Sequence, residues 1–209
     1  EGGRVYATCR HPTEAFELHN LAAKQKNISI HRLDVTKPDD INAVAVDLLN
    51  ESIDVLLNNA GVYLEKYWDV SLNQLRYEDW EYTFRVNTMG AVRLAEAFQD
   101  NSTRSEKRLI AVISTHMGSI TDIDEPGSYY YRSSKAALNA AMKGLSYEVR
   151  LRGIGVLLLH PGWVRTRMGG PGTSLLPPES VRGMRKIIEN FTIEQTGRFY
   201  RCDGIEMPW

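Results

Sequence analysis

The sequence lacks most of the features that would assign it to a special environment. No apolar run approaches the roughly 20 residues of a membrane-spanning helix, and Glu1, Gly2, Gly3 and Arg4 form no secretory apolar segment. The two cysteines, Cys9 and Cys202, are too few for a disulfide framework, which predicts a reduced, cytoplasmic protein. Charge is nearly balanced: 25 Lys and Arg against 26 Asp and Glu leave a net −1. That balance argues against a nucleic-acid or anionic-membrane partner. There is no repeat, low-complexity tract or linker, and His and Cys fall at no metal-ligand spacing, so no metal is expected. What remains is 209 residues, 43% of them hydrophobic, enough for one domain with a sizeable core.

Periodicity predicts strands alternating with helices. Strands are expected at 5–9, 28–35, 53–57, 109–113, 156–159 and 199–201. The third is almost continuously apolar, as in a sheet covered on both faces. A helix to about Lys26 is expected behind a Thr13 cap, with Phe16, Leu18, Leu21 and Ala22 inward. Another is expected over 39–50 after a Thr36-x-x-Asp39 capping-box-like start. A third over 77–99 carries the stripe Trp80, Phe84, Ala91, Leu94, Ala95 and Phe98, and Asn87 lies on that stripe. Further helices are expected to Leu151, stopped by Gly153, and over 178–190. Such alternation implies right-handed βαβ units and a parallel sheet, whose ligands sit beyond the carboxyl ends of the strands.

Polar and glycine-containing segments collect at those ends: Arg10, Asp34-Val35, Asn58-Asn59-Ala60-Gly61, Ser114 to Ser119, and Pro161-Gly162-Trp163-Val164-Arg165-Thr166. Between the fourth and fifth strands stands Tyr131-x-x-x-Lys135, ahead of a run of helix formers. Spacing by four puts phenol and ammonium one turn apart on one helical face. A phenol of reference pKa about 10 is a poor acid or base at neutral pH. A nearby ammonium is expected to favour the phenolate and bring it towards the working range. An exposed Tyr beside a solvated Lys is the competing account of the pair alone.

Taken in order, Leu33-Asp34-Val35, Asn58-Asn59-Ala60-Gly61, Asn87, the hydroxyls ending the fourth strand, Tyr131-x-x-x-Lys135 and Pro161-Gly-x-Val-x-Thr166 resemble the short-chain dehydrogenase/reductase family over essentially the whole chain. Thr8-Cys9-Arg10-x-Pro12, Met117-Gly118-Ser119-Ile120 and His160-Pro-Gly-Trp-Val164 are similar to its carbonyl-reductase-like branch. The resemblance implies a Rossmann-like, doubly wound, three-layer α/β fold and hydride transfer between a nicotinamide and a carbonyl or alcohol. It implies Tyr131 as proton donor or acceptor, Lys135 on the ribose and lowering the Tyr131 pKa, a strand-end hydroxyl on the substrate oxygen, and Asn87 holding a water. An Asn87 bonded to nearby backbone is the alternative. The position of the usual serine is Thr115 here, with Ser119 as second candidate, although Gly118-Ser119 also suits a turn. Cofactor contacts are implied for Arg10, Asp34, Val35, Asn58, Ala60, Gly61, Tyr131, Lys135, Pro161, Gly162, Val164 and Thr166. Arg10, with no carboxylate from Cys9 to Thr13, points to the 2′-phosphate of NADP over NAD.

The resemblance also defines a difference. The family opens with a strand and a Thr-Gly-x-x-x-Gly-x-Gly loop that meets the pyrophosphate, and neither is found in the sequence. The expectation is one domain, 1–209, lacking a strand–loop–helix unit of about 30 residues whose strand would lie mid-sheet. A homodimer or homotetramer is expected through the small residues Ala137, Ala140, Ala141 and Gly144, unless these pack on the protein's own sheet. The alternative function is a non-catalytic regulatory or interaction protein that keeps the fold.

Overall fold

The computed structural model describes residues 2–67 and 70–209. Among the described residues six strands are present: β1 (Val5–Cys9), β2 (Ile28–Arg32), β3 (Val55–Asn58), β4 (Leu109–Ile113), β5 (Gly155–His160) and β6 (Arg198–Arg201). Six α-helices among the described residues connect or flank them: α1 (Phe16–Lys24), α2 (Pro38–Asp47), α3 (Tyr77–Phe84), α4 (Gly90–Thr103), α5 (Tyr129–Arg150) and α6 (Pro177–Glu189). All strand pairs are parallel, in the orders β1-β2 and β3-β4-β5-β6.

β4 and β5 have partners on both sides, and their alternate residues divide between two cores. Ile110, Val112, Val156 and Leu158 face Ala91 and Ala95 of α4 and Leu138 and Met142 of α5. Leu109, Ala111, Leu157 and Leu159 face the other way, towards Met184, Ile187 and Ile188 of α6. Helices therefore cover both faces, giving three layers. A third cluster joins Leu33 and Val35 to Ile41 and Val44 of α2 and to Val86, Leu94 and Phe98.

The sheet is in two pieces. Among the described residues nothing pairs with the second edge of β1 or of β3, so each keeps one row of backbone groups outside the ladder. Leu57, expected inside a covered strand, is 50% exposed on β3. Three other expectations are corrected. Phe16 and Leu21 of α1 lie in solvent and no residue of α1 is buried, because no described element packs over that side. Thr13 falls in a 3₁₀ turn, and α1 starts after Ala15 without a side-chain cap. The Thr36 hydroxyl donates to Asp34 Oδ1 at 2.7 Å and caps nothing; α2 begins at Pro38.

The expected helix over 77–99 extends to Thr103 and is interrupted at Arg85–Met89 by a π-helical turn. That turn widens the helix around buried Asn87; single π turns of this kind often mark functional sites. Gly153, at φ +73, ends the α5 segment as read from the sequence. No helix among the described residues is long and apolar enough to cross a membrane.

Candidate active site

The carboxyl ends of β3, β4 and β5 converge on the first two turns of α5. Tyr131 and Lys135 are both buried there, with the Lys135 ammonium 6.0 Å from the Tyr131 ring centre. Lys135 Nζ donates to the Ile113 carbonyl at 2.8 Å. Gly118 lets this packing form, since a Cβ at 118 would lie 2.9 Å from Lys135 Cβ. Burial, with the Tyr63 phenol adding to it, pushes Tyr131 up to about 12, and the Thr115 hydroxyl pulls the other way. Burial brings the Lys135 ammonium down to about 8. The sequence expectation of a lowered Tyr131 pKa is thus reversed here: desolvation of the phenol outweighs any charge effect of an ammonium that is itself desolvated.

Thr115 is the strand-end hydroxyl beside Tyr131. Its neighbour Ser114 is used internally and donates to Asn139 Oδ1 at 2.6 Å. Ser119 is fully buried and accepts from the Asp122 amide at 3.3 Å, which is the turn role weighed above. Asn87 is bonded to nearby backbone and to one hydroxyl. Its Oδ1 accepts from the Val62 amide at 2.8 Å, and its Nδ2 donates to the Val62 carbonyl and to Ser134 Oγ, both at 2.9 Å. Gly61 lies between: a Cβ there would meet Asn87 Oδ1 at 3.5 Å and Lys135 Nζ at 3.6 Å.

The other predicted residues divide into two groups. Arg10 and Asp34 come together at the ends of β1 and β2. Burial works against the Asp34 charge, yet the Thr36 hydroxyl and amide and the nearby Arg10 hold its carboxyl below the ordinary value. Arg10 itself is exposed and donates to Tyr82 Oη at 3.4 Å. Val35 is buried against α2 and α4. Asn58, at the end of β3, is buried with Nδ2 on the Ala91 carbonyl at 3.4 Å and Oδ1 without a partner. Ala60 is exposed beside it. After β5, Pro161 accepts from Ser180 Oγ at 2.6 Å, Gly162 takes φ +81, Val164 bridges to Leu175, and Thr166 Oγ1 accepts from the Gly169 amide at 3.0 Å.

Four participants carry no signature that singles them out in the sequence. Tyr63 stacks on Tyr131 with ring centres 4.3 Å apart, and its hydroxyl meets Ser128 Oγ at 2.5 Å. Glu65 accepts from the amides of Tyr130 and Tyr131. Lys66 donates to the carbonyls of Arg167 and Met168. Met168 Sδ lies 3.9 Å from the Tyr131 hydroxyl. Tyr130, by contrast, is structural: it stacks on Trp80 and its hydroxyl accepts from the Arg76 amide at 2.5 Å. Among the described residues no three His, Cys, Asp or Glu side chains gather as a metal site.

A parallel, doubly covered sheet whose strand ends bring a Tyr, a Lys and a hydroxyl together is the architecture of a dinucleotide-dependent oxidoreductase. A family model described as short chain dehydrogenase matches residues 1–174, and the chain belongs to that family. C-signal of Myxococcus xanthus is 40% identical over 169 residues, covering 81% of this chain and all of that protein. A carbonyl reductase from chicken fatty liver, crystallised with NADPH, superposes with a TM-score of 0.91 at 33% identity, covering 99% of this chain and 88% of that one. The carbonyl reductase Sniffer of D. melanogaster gives 0.90 at 31% identity with the same coverage. These matches make the fold Rossmann-like.

Proposed function

We propose that the protein is an NADP(H)-dependent oxidoreductase that interconverts a carbonyl and an alcohol, with Tyr131 as general acid and base. The observation that carries this reading is the grouping of the Tyr131 hydroxyl, Thr115 and Lys135 at the ends of β4 and α5. The carbonyl reductase neighbour with NADPH in its crystals supports the cofactor.

The residues present fit the cofactor at two places. Exposed Arg10 beside Asp34 suits a 2′-phosphate and an adenine amino group. The buried, unpartnered Asn58 Oδ1 and the approach past Ala60 and Gly61 to Lys135 Nζ suit polar groups of the cofactor. Pro161, Gly162, Val164 and Thr166 line the neighbouring loop after β5. Bound NADPH supplies the hydride. Thr115 orients the substrate oxygen towards Tyr131, which delivers the proton as alkoxide charge develops. Lys135, which donates to the Ile113 carbonyl, would hold the ribose hydroxyls of the cofactor and favour the phenolate left behind. Asn87 holds the π turn against Val62, which keeps Lys135 and Gly61 in register. Thr115, in place of the family's usual serine, favours a second reading, a regulatory protein that keeps the fold of this single domain without turnover.

Ala140 and Gly144 of α5 are exposed, so they do not pack on the protein's own sheet. We read this face as the contact of a homodimer or homotetramer. The test of function is a panel of aldehydes and ketones with NADPH, followed by absorbance. Oxidation of NADPH with at least one carbonyl supports the enzyme, and none with any supports the regulatory reading.

A further inference from the structure

We propose that Glu65 is a positioning residue for Tyr131, acting through the backbone of α5; the inference rests on the oxidoreductase reading above. The first amides of any α-helix have no partner inside it. At α5 the preceding Ser128 sits in the left-handed region, at φ 51, and offers no side-chain cap. Its hydroxyl is engaged by Tyr63 instead. Glu65 fills that role from a distant 3₁₀ turn (Leu64–Tyr67). One carboxylate oxygen accepts from the Tyr130 amide at 2.9 Å and the other from the Tyr131 amide at 2.8 Å.

This carboxylate is only 8% exposed, and the backbone amides of Tyr130, Tyr131 and Tyr129 stabilise its charge. Burial pushes its carboxyl up, and the helix amides work against that. A buried carboxylate is costly unless fully bonded, so its geometry is held tightly to the amide of Tyr131. The same short segment controls the rest of that side chain. Tyr63 stacks on the ring, and Lys66 grips the carbonyls of Arg167 and Met168, whose sulfur lies over the hydroxyl. Residues 63, 65 and 66 therefore restrain Tyr131 at amide, ring and hydroxyl.

The test compares wild type with Glu65→Gln and Glu65→Ala on the full chain. Glutamine keeps one carbonyl acceptor; alanine leaves both amides unbonded. Three quantities are read: NADPH affinity, kcat and KM for one accepted carbonyl, and the NMR resonance of ¹³C-labelled tyrosine assigned through Tyr131→Phe. Misplacing a catalytic group by about 1 Å costs on the order of a hundredfold in rate. Glu65→Ala is expected to lower kcat by about that factor with NADPH affinity and KM little changed, Glu65→Gln to recover part of it, and the Tyr131 resonance to move in both. A merely structural cap would lower Tm while kcat per folded molecule and the resonance stay at wild-type values, and that result overturns the proposal. If wild type turns over no carbonyl, the oxidoreductase reading fails on its own, and the Tyr131 resonance still decides whether Glu65 positions the ring.

Discussion

At the scale of single residues, burial sets the charges that the chemistry must manage. Lys135 has a folded pKa of about 8, below its ordinary 10.5. Between those values the unfolded chain binds more protons than the folded one, so stability rises with pH across that window and the cost of the buried ammonium is full below it. Thermal unfolding from pH 7.5 to 10 is expected to show this rise in wild type and to lose it in Lys135→Met. Parallel curves for the two would contradict it. Tyr131, raised to about 12 from 10.0, has the opposite effect at higher pH: its stabilisation is complete below 10 and is lost as pH climbs to 12. Arg10 gives a second test. Arg10→Asp is expected to weaken NADPH and to spare or improve NADH, and unchanged NADPH affinity by fluorescence titration would remove the phosphate argument. Spacing by four put Tyr131 and Lys135 on one helical face, and the resemblance to the family placed Thr115 beside them at the strand end. Glu65 was not legible, because its partners lie 65 and 66 positions away and no local pattern encodes that contact.

At the scale of elements, the π turn is the feature that ties the site together. Asn87→Ala removes the bonds to Val62 N–H, Val62 C=O and Ser134 Oγ, leaving buried groups unpaired. An unsatisfied buried group costs about 1–3 kcal/mol, so chemical denaturation is expected to show a loss of at least that size. A change within about 0.5 kcal/mol, typical of a surface substitution, would mean that Val62 finds other partners. The helix was readable from its stripe, but the π turn was not, since one extra residue per turn hardly disturbs a hydrophobic period. Caps were misread at α1 and α2 because Thr13 and Thr36 suit turns as well as caps: Thr36 bonds to Asp34 within the turn. The inward side of α1 was misread because periodicity names a face without showing that anything covers it.

At the scale of the whole molecule, stability is unevenly distributed. β4 and β5 are paired on both sides and sealed between α4, α5 and α6, whereas β1-β2 is a two-stranded piece and β3 has one open edge. Native-state hydrogen exchange is expected to protect the amides of β4 and β5 most and to open β1-β2 at a lower free energy. Uniform protection across all six strands would contradict this. The parallel α/β class was legible from the alternation of strands and helices. The division of the sheet follows from pairing over long distances, and was legible only as an expected gap between the strands starting near Val5 and Ile53. All of this serves one claim, that the Tyr131 hydroxyl exchanges a proton with a substrate oxygen while NADPH supplies the hydride. The most direct measurement is the rate of NADPH oxidation with an accepted carbonyl for wild type and Tyr131→Phe, with NADPH affinity measured in parallel. The account predicts unchanged affinity and a rate lower by about 10²–10⁴, the contribution of one general acid; equal rates for the two proteins would contradict it.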